Sequence, residues 1–151
     1  QEERDSFLDL AGRSADRAIA LAPALPLAHV AAAMVQELRL NITRADAAYQ
    51  KAISLEGVDA PSLSGTSVFM ARIGRATLAT DLVERASLLD PLNRAVVRNG
   101  FVVLAYNRDF VGARRALAEL EEADDLSSAT LTIAARVLTF DGEPREALRF
   151  T

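Results

Sequence analysis

The sequence predicts an all-α protein, a right-handed superhelical stack of antiparallel helix pairs. Two observations lead to this fold class. Small and apolar residues recur at a fixed interval of 34 residues, and within each interval the apolar residues follow helical spacing. A third observation is the composition: 151 residues, of which 50% are hydrophobic and 25% charged, are typical of one ordinary globular domain.

The interval is most regular in a column of alanines. Where two helices cross closely, a large side chain would push them apart, so a small residue is expected at each crossing. Bulky residues four positions later, at Tyr49, Val83 and Leu117, are expected to fill the space between successive helices. The alanine column comprises Ala11, Ala45, Ala79, Ala113 and Ala147, and an apolar column runs through Val35, Phe69, Val103 and Val137.

The first helices follow from local signals. Residues 1–25 are expected to supply one helix, with Ser6 as its N-cap and a stop before Pro23, because the residue before proline is pushed out of the helical region. The next two helices are expected over 25–39 and over 43–56. Thr43 is the expected N-cap of the latter.

Turn residues mark the remaining helix ends. Gly57 is a good stop for the helix over 43–56, and further turns are expected at Gly74, at 107–109 and at 141–143. Pro144 fits the first turn of a helix, where its missing N–H costs nothing.

The pattern resembles the tetratricopeptide repeat (TPR) family. The run from Ala79 to Pro91 carries the resemblance best, with a small residue at Ala79, a bulky one at Val83, then Ala86 and the closing proline. The aromatic residue usual in the first helix of the family is replaced in each copy, by His29, Leu63, Val97 and Leu131. The resemblance covers essentially the whole chain, and it implies a module that binds a peptide or a partner helix in a concave groove.

Counted from these columns, residues 1–151 form a single TPR-like repeat domain. It comprises a partial repeat over 1–25, complete repeats over 26–59, 60–93 and 94–127, and a partial repeat over 128–151. Because both end repeats are partial, the chain is expected to be a fragment of a longer protein.

Two short segments of the repeats also resemble the TPR regions of bacterial adenylate cyclases and winged-helix transcriptional regulators. The residues concerned are Leu88–Asn93 and Asn107–Ala113. This resemblance implies a cytoplasmic scaffold within a bacterial signalling protein.

The groove implied by the family is lined by first helices. Arginine offers a two-pronged donor for carboxylates, and tyrosine offers a rigid amphipathic ring. The candidate groove residues are Arg72, Arg98, Asn99, Val102, Tyr106 and Arg136. The same columns also hold Val30, Met34, Glu37, Ser64, Val68, Thr132 and Phe140.

Other classes of function fit the sequence poorly. The sequence has no cysteine and a single histidine, His29, so it cannot assemble a nucleophile–base pair or a set of metal ligands. We therefore expect no catalysis, no cofactor and no metal. His29 is expected to be a packing residue. A net charge of −4 and 5% aromatic residues disfavour nucleic acid as a partner. No apolar run reaches the ~18 residues that a membrane span needs.

Two alternatives stay open at this point. Exposed apolar ends would allow a homo-oligomer, which makes the domain an oligomerisation or structural spacer. A small-ligand sensor could instead regulate an attached cyclase or DNA-binding domain.

Overall fold

The computed structural model describes residues 2–150, with side chains from Asp5 to Phe150. Within this range the regular structure is entirely helical, without a β-strand, which confirms the predicted all-α fold class. The helices are α1 (Glu2–Leu21), α2 (Pro26–Leu38), α3 (Ile42–Ile53), α4 (Ala60–Arg72), α5 (Ala76–Leu89), α6 (Arg94–Tyr106), α7 (Phe110–Glu122), α8 (Ser128–Phe140) and α9 (Pro144–Ala147), followed by a 3-10 turn over Leu148–Phe150.

The helices belong to two compact units, and the boundary between the units falls after Thr66, within α4. The first unit contains α1, α2, α3 and the beginning of α4. The second contains the rest of α4 and all later helices. The single repeat domain stays a prediction.

The helix boundaries repeat with the interval seen in the sequence. The first helices of successive pairs begin 34 residues apart, at Pro26, Ala60, Arg94 and Ser128. The second helices do the same, at Ile42, Ala76, Phe110 and Pro144. Pro144 opens α9 in the first helical turn, as expected.

The alanine column lies at the helix contacts in four of its five copies. Ala45, Ala79 and Ala113 have 0% of their surface exposed, and Ala147 is also buried. Ala11 on α1 is the exception, since its side chain is exposed. The bulky residues expected between helices, Tyr49, Val83 and Leu117, are all buried.

The first unit is held by apolar contacts of α2 with α1 and α3. Val30, Val35 and Tyr49 are buried there, and the Tyr49 hydroxyl donates a hydrogen bond to Glu37 Oε2 at 3.1 Å. His29 is also buried, and its Nε2 lies 2.9 Å from the carbonyl oxygen of Pro23. A packing role for His29 is therefore confirmed.

The second unit contains a continuous apolar core. It is built from α6, α7, α8 and the short helices that follow. Its buried members are Phe101, Ala113, Leu117, Leu120, Ala134, Val137, Leu138, Ala147 and Phe150.

Two predicted N-caps are wrong. The helix α1 already begins at Glu2, so Ser6 lies within it. The helix α3 begins at Ile42 after Asn41, whose side chain makes no capping hydrogen bond, so Thr43 lies in the first turn. The caps that do form are Asp59, Asn93, Asp109 and Ser127, each of which accepts a backbone N–H at the start of α4, α6, α7 or α8.

The helix α4 buries an unusual number of hydroxyl groups. Ser62, Ser64, Thr66 and Ser67 are all almost fully buried. The hydroxyls of Ser62 and Thr66 have no hydrogen-bond partner among the described residues. An unsatisfied buried hydroxyl costs free energy, so α4 is less stable than it would be with apolar residues at these two positions.

Each first helix ends in the same left-handed turn. The positive φ angles recur every 34 residues, at Leu40 (60°), Gly74 (82°), Arg108 (62°) and Gly142 (88°). In each copy the next residue donates its N–H to a carbonyl five positions back, as in Asn41 to Gln36 at 2.8 Å, which is a Schellman motif. Glycine is the relaxed residue at such a position, and two of the four copies lack it.

We expect Leu40→Gly to stabilise the chain. A left-handed conformation costs an L-residue roughly 1–2 kcal/mol, partly offset by the greater freedom of glycine in the unfolded chain, so the net gain should be about 0.5–1 kcal/mol. Leu40 is 84% exposed, so little packing is lost. Urea unfolding followed by circular dichroism measures the change.

The matched control is Leu38→Gly, at the exposed last residue of α2. There, glycine should cost up to about 1 kcal/mol. A lower unfolding midpoint for Leu40→Gly would contradict the left-handed turn.

We expect Ala79→Leu to destabilise the chain by about 1–3 kcal/mol, because the extra methylenes have no space at a fully buried helix contact. Ala118→Leu is the control, since Ala118 is exposed on α7. Thermal unfolding of the two variants measures the difference. Equal melting temperatures would show that the alanine column is not a close contact.

Candidate partner-binding site

An open pocket lies between α6, the start of α7 and α8, all within the second unit. Its volume is about 220 Å³. The walls are mostly aromatic and aliphatic, and the two charged side chains among them are both arginines. The lining residues are Ala105, Tyr106, Arg108, Phe110, Ile133, Arg136, Val137 and Phe140.

The turn between α6 and α7 fixes one wall of this pocket. Arg108 takes the left-handed position of the turn, and its guanidinium carbon lies 5.8 Å from the centre of the Phe110 ring. The next residue, Asp109, accepts the Gly112 N–H at 2.9 Å and so caps α7. A Cβ on Gly112 would lie 2.6 Å from an Asp109 carboxylate oxygen, so a larger residue there would require the capping carboxylate to shift. Arg108 and Phe110 are therefore held at the pocket by backbone geometry.

Two of the six candidate groove residues, Tyr106 and Arg136, meet in this pocket, together with Phe140 from the same predicted columns. Tyr106 is 38% exposed at the end of α6, and Arg136 is exposed on α8. Neither the Tyr106 hydroxyl nor the Arg136 guanidinium has a hydrogen-bond or ion-pair partner among the residues that the structure describes. Both polar groups are available to a ligand.

Arg98 lies elsewhere and is engaged within the chain. Its Nη1 donates to both carboxylate oxygens of Asp125 at 2.8 Å, and the Asp125 side chain is only 15% exposed. This pair ties α6 to the loop that precedes α8. Arg98 therefore forms a salt bridge within the fold and does not line the pocket.

The other predicted groove residues are spread over the second unit, and none of them lines the pocket. Arg72 is exposed at the end of α4, Asn99 is half-buried on α6, and Val102 packs against the core of the unit. Three further members of the predicted columns are buried: Val30, Ser64 and Val68.

The sequence analysis did not single out Arg108, Phe110 and Ile133. The repeat itself holds the signal that could have found two of them. One interval earlier, the positions of Arg108 and Phe110 are occupied by Gly74 and Ala76, which have little or no side chain to build a wall. In the other copies these positions hold Leu40 and Ile42, or Gly142 and Pro144, so only the copy with Arg108 and Phe110 combines a cation with an aromatic ring there.

Acidic residues near the pocket are already occupied. Asp109 caps α7, and Asp141 accepts a hydrogen bond from Arg114 at 3.1 Å. The hydrogen bond to Asp141 is the main reason that the pKa of Arg114 lies above its ordinary value. The two arginines of the pocket therefore face a wall that carries no carboxylate.

Two other kinds of site are absent from the part of the chain that the structure describes. No group of three or more histidine, cysteine, aspartate or glutamate side chains is placed to hold a metal ion. None of the described helices has the length and hydropathy needed to cross a membrane.

Comparison with solved structures agrees with the predicted fold. The chain is similar to YrrB, a TPR protein with an unusual peptide-binding site, at 17% sequence identity and a TM-score of 0.65, over 98% of this chain and 76% of that one. This likeness shows the fold alone, that of a TPR-like α–α solenoid.

A second solved structure, PilF of Pseudomonas aeruginosa, aligns with 99% of this chain and 89% of its own at 16% identity. Its TM-score of 0.44 is too low to support an argument. No protein-family model and no curated protein matches the chain.

We expect Arg98→Ala to lower the free energy of unfolding by about 1 kcal/mol, because it leaves the largely buried Asp125 carboxylate without its counter-charge. The control is Arg85→Ala, which removes an exposed pair with Asp81 at 3.5 Å and should change stability by only a few tenths of a kcal/mol. Urea unfolding compares the two. An Arg98→Ala chain as stable as the Arg85→Ala chain would contradict a structural role for the pair.

Proposed function

We propose that this chain, which has the fold of TPR proteins, is a non-catalytic module that binds a peptide or a partner helix. The observation that carries the proposal is the open pocket between α6 and α8, with Tyr106 and Arg136 directed to it. Large aromatic and arginine side chains around a pocket are the residues that most often contribute the binding energy of protein interfaces.

The size of the pocket favours a side chain of a macromolecule over a free metabolite. Sites for small molecules and cofactors usually enclose about 300–1,000 Å³. The α6–α8 pocket, at about 220 Å³, is smaller, whereas an apolar cavity of about 150 Å³ already accepts a benzene molecule. A single large side chain of a partner therefore fits it better than a whole effector molecule.

The wider setting of the module is also a proposal. The resemblance of Leu88–Asn93 and Asn107–Ala113 to bacterial regulatory TPR regions supports a place in a cytoplasmic signalling or transcriptional regulatory protein. In that setting the module would act as a scaffold, and the chemistry or the DNA binding would belong to other domains. The likeness to YrrB adds support for a peptide partner only through the shared fold.

The test is selection of a random peptide library displayed on phage against the immobilised chain. Selected peptides should bind a Tyr106→Ala/Phe140→Ala variant at least about tenfold more weakly, because it removes two aromatic contacts of the pocket. The control is Val111→Ala/Leu92→Ala, which removes two exposed apolar side chains outside the pocket.

Binding to the control should equal binding to the parent chain. Fluorescence anisotropy with labelled peptides measures all three affinities. Failure to enrich any peptide, or equal loss in both double variants, would refute the assignment of this pocket as the binding site.

A further inference from the structure

We propose that the α6–α8 pocket selects an acidic-hydrophobic segment: one large apolar side chain enters the pocket, and a carboxylate next to it in the partner's sequence pairs with Arg136. The inference rests on the proposed function and adds the chemistry of the partner. The carboxylate is that of an internal aspartate or glutamate.

The walls of the pocket favour an apolar anchor. Ile133, Val137 and Phe110 form its aliphatic and aromatic surfaces, and Phe140 is 66% exposed at its edge. An apolar side chain that entered would cover aromatic surface that is now in contact with water, which favours binding through the hydrophobic effect. The volume of about 220 Å³ limits the anchor to one side chain of the size of leucine or phenylalanine.

The charges of the pocket favour an adjacent carboxylate. Arg136 has no ion-pair partner among the described residues, and the Arg108 guanidinium faces the Phe110 ring and likewise pairs with no described carboxylate. The nearby carboxylates of Asp109 and Asp141 are held by Gly112 and Arg114. Two cations with no opposite charge in the lining would repel a basic partner and attract an acidic one.

Tyr106 is placed to orient such a segment. Its ring forms part of the wall, and its hydroxyl, without a partner among the described residues, can donate to a carboxylate or accept a backbone N–H. Tyrosine combines apolar contact area with one polar group, which suits a boundary between an apolar anchor and a charged neighbour.

The test uses charge reversal on both sides of the complex. Peptides enriched from the displayed library are compared for the frequency of aspartate or glutamate within two positions of a large apolar residue. The library is fused to the coat protein at its carboxyl end, so no terminal carboxylate is present. The best peptide is then synthesised with that acid, and with lysine in its place.

Against the acidic peptide, Arg136→Glu should weaken binding about tenfold or more, because an attraction becomes a repulsion. The lysine peptide should bind the Arg136→Glu variant at least about tenfold better than it binds the parent chain, which completes a cycle that isolates the pairwise contact. Arg115→Glu is the matched control, since Arg115 is exposed on α7 outside the pocket. Its affinity for the acidic peptide should stay within about twofold of the parent.

The outcomes separate this inference from the proposed function. Enriched peptides that need Tyr106 but carry no acid, or an Arg136→Glu effect no larger than that of Arg115→Glu, would overturn the acidic-hydrophobic partner while peptide binding stands. A library that yields no binding peptide would overturn the proposed function, and this inference with it.

Discussion

The close approach of paired helices at alanine is the constraint on which the rest of this structure depends. Ala45, Ala79 and Ala113 have no exposed surface, and the bulky residues four positions later fill the gap to the next helix. Any larger side chain in the column would force the backbones apart. Because the spacing is set in this way, three-residue turns suffice to join the two helices of each pair, and in the second unit α6 and α8 lie near enough to form a pocket together.

Most of the fold could be predicted from the sequence because helix packing repeats at a fixed interval. The columns predicted two helices in each complete repeat, which the described residues contain, and the turn residues predicted the ends of the first helices. The N-caps could not be predicted as well. A cap depends on whether one side-chain oxygen meets one backbone N–H, and neither Ser6 nor Thr43 does so, whereas Ser127 meets the N–H of Thr130. Composition alone cannot distinguish these serines and threonines.

The candidate site was predictable only in part, for a different physical reason. Tyr106 and Arg136 follow from helical register, which fixes the face of a helix on which a residue lies. The salt bridge between Arg98 and Asp125 joins a helix to a loop 27 residues away in the sequence, and no local sequence pattern predicts it. Arg108 and Phe110 form a wall of the pocket at the turn and at the start of α7. The predicted groove, in contrast, is lined only by residues of the first helices.

The shared turn makes recognition separable from folding. At Gly74 and Gly142 the left-handed position carries no side chain, and at Leu40 it carries one that is 84% exposed. The fold therefore constrains the backbone conformation at this position but not the side chain. Substitutions at this position can thus introduce a new functional group with little loss of stability. The residue at this position, which is glycine in two copies and arginine at position 108, can therefore change the chemistry of the neighbouring pocket without any change in the buried alanine column.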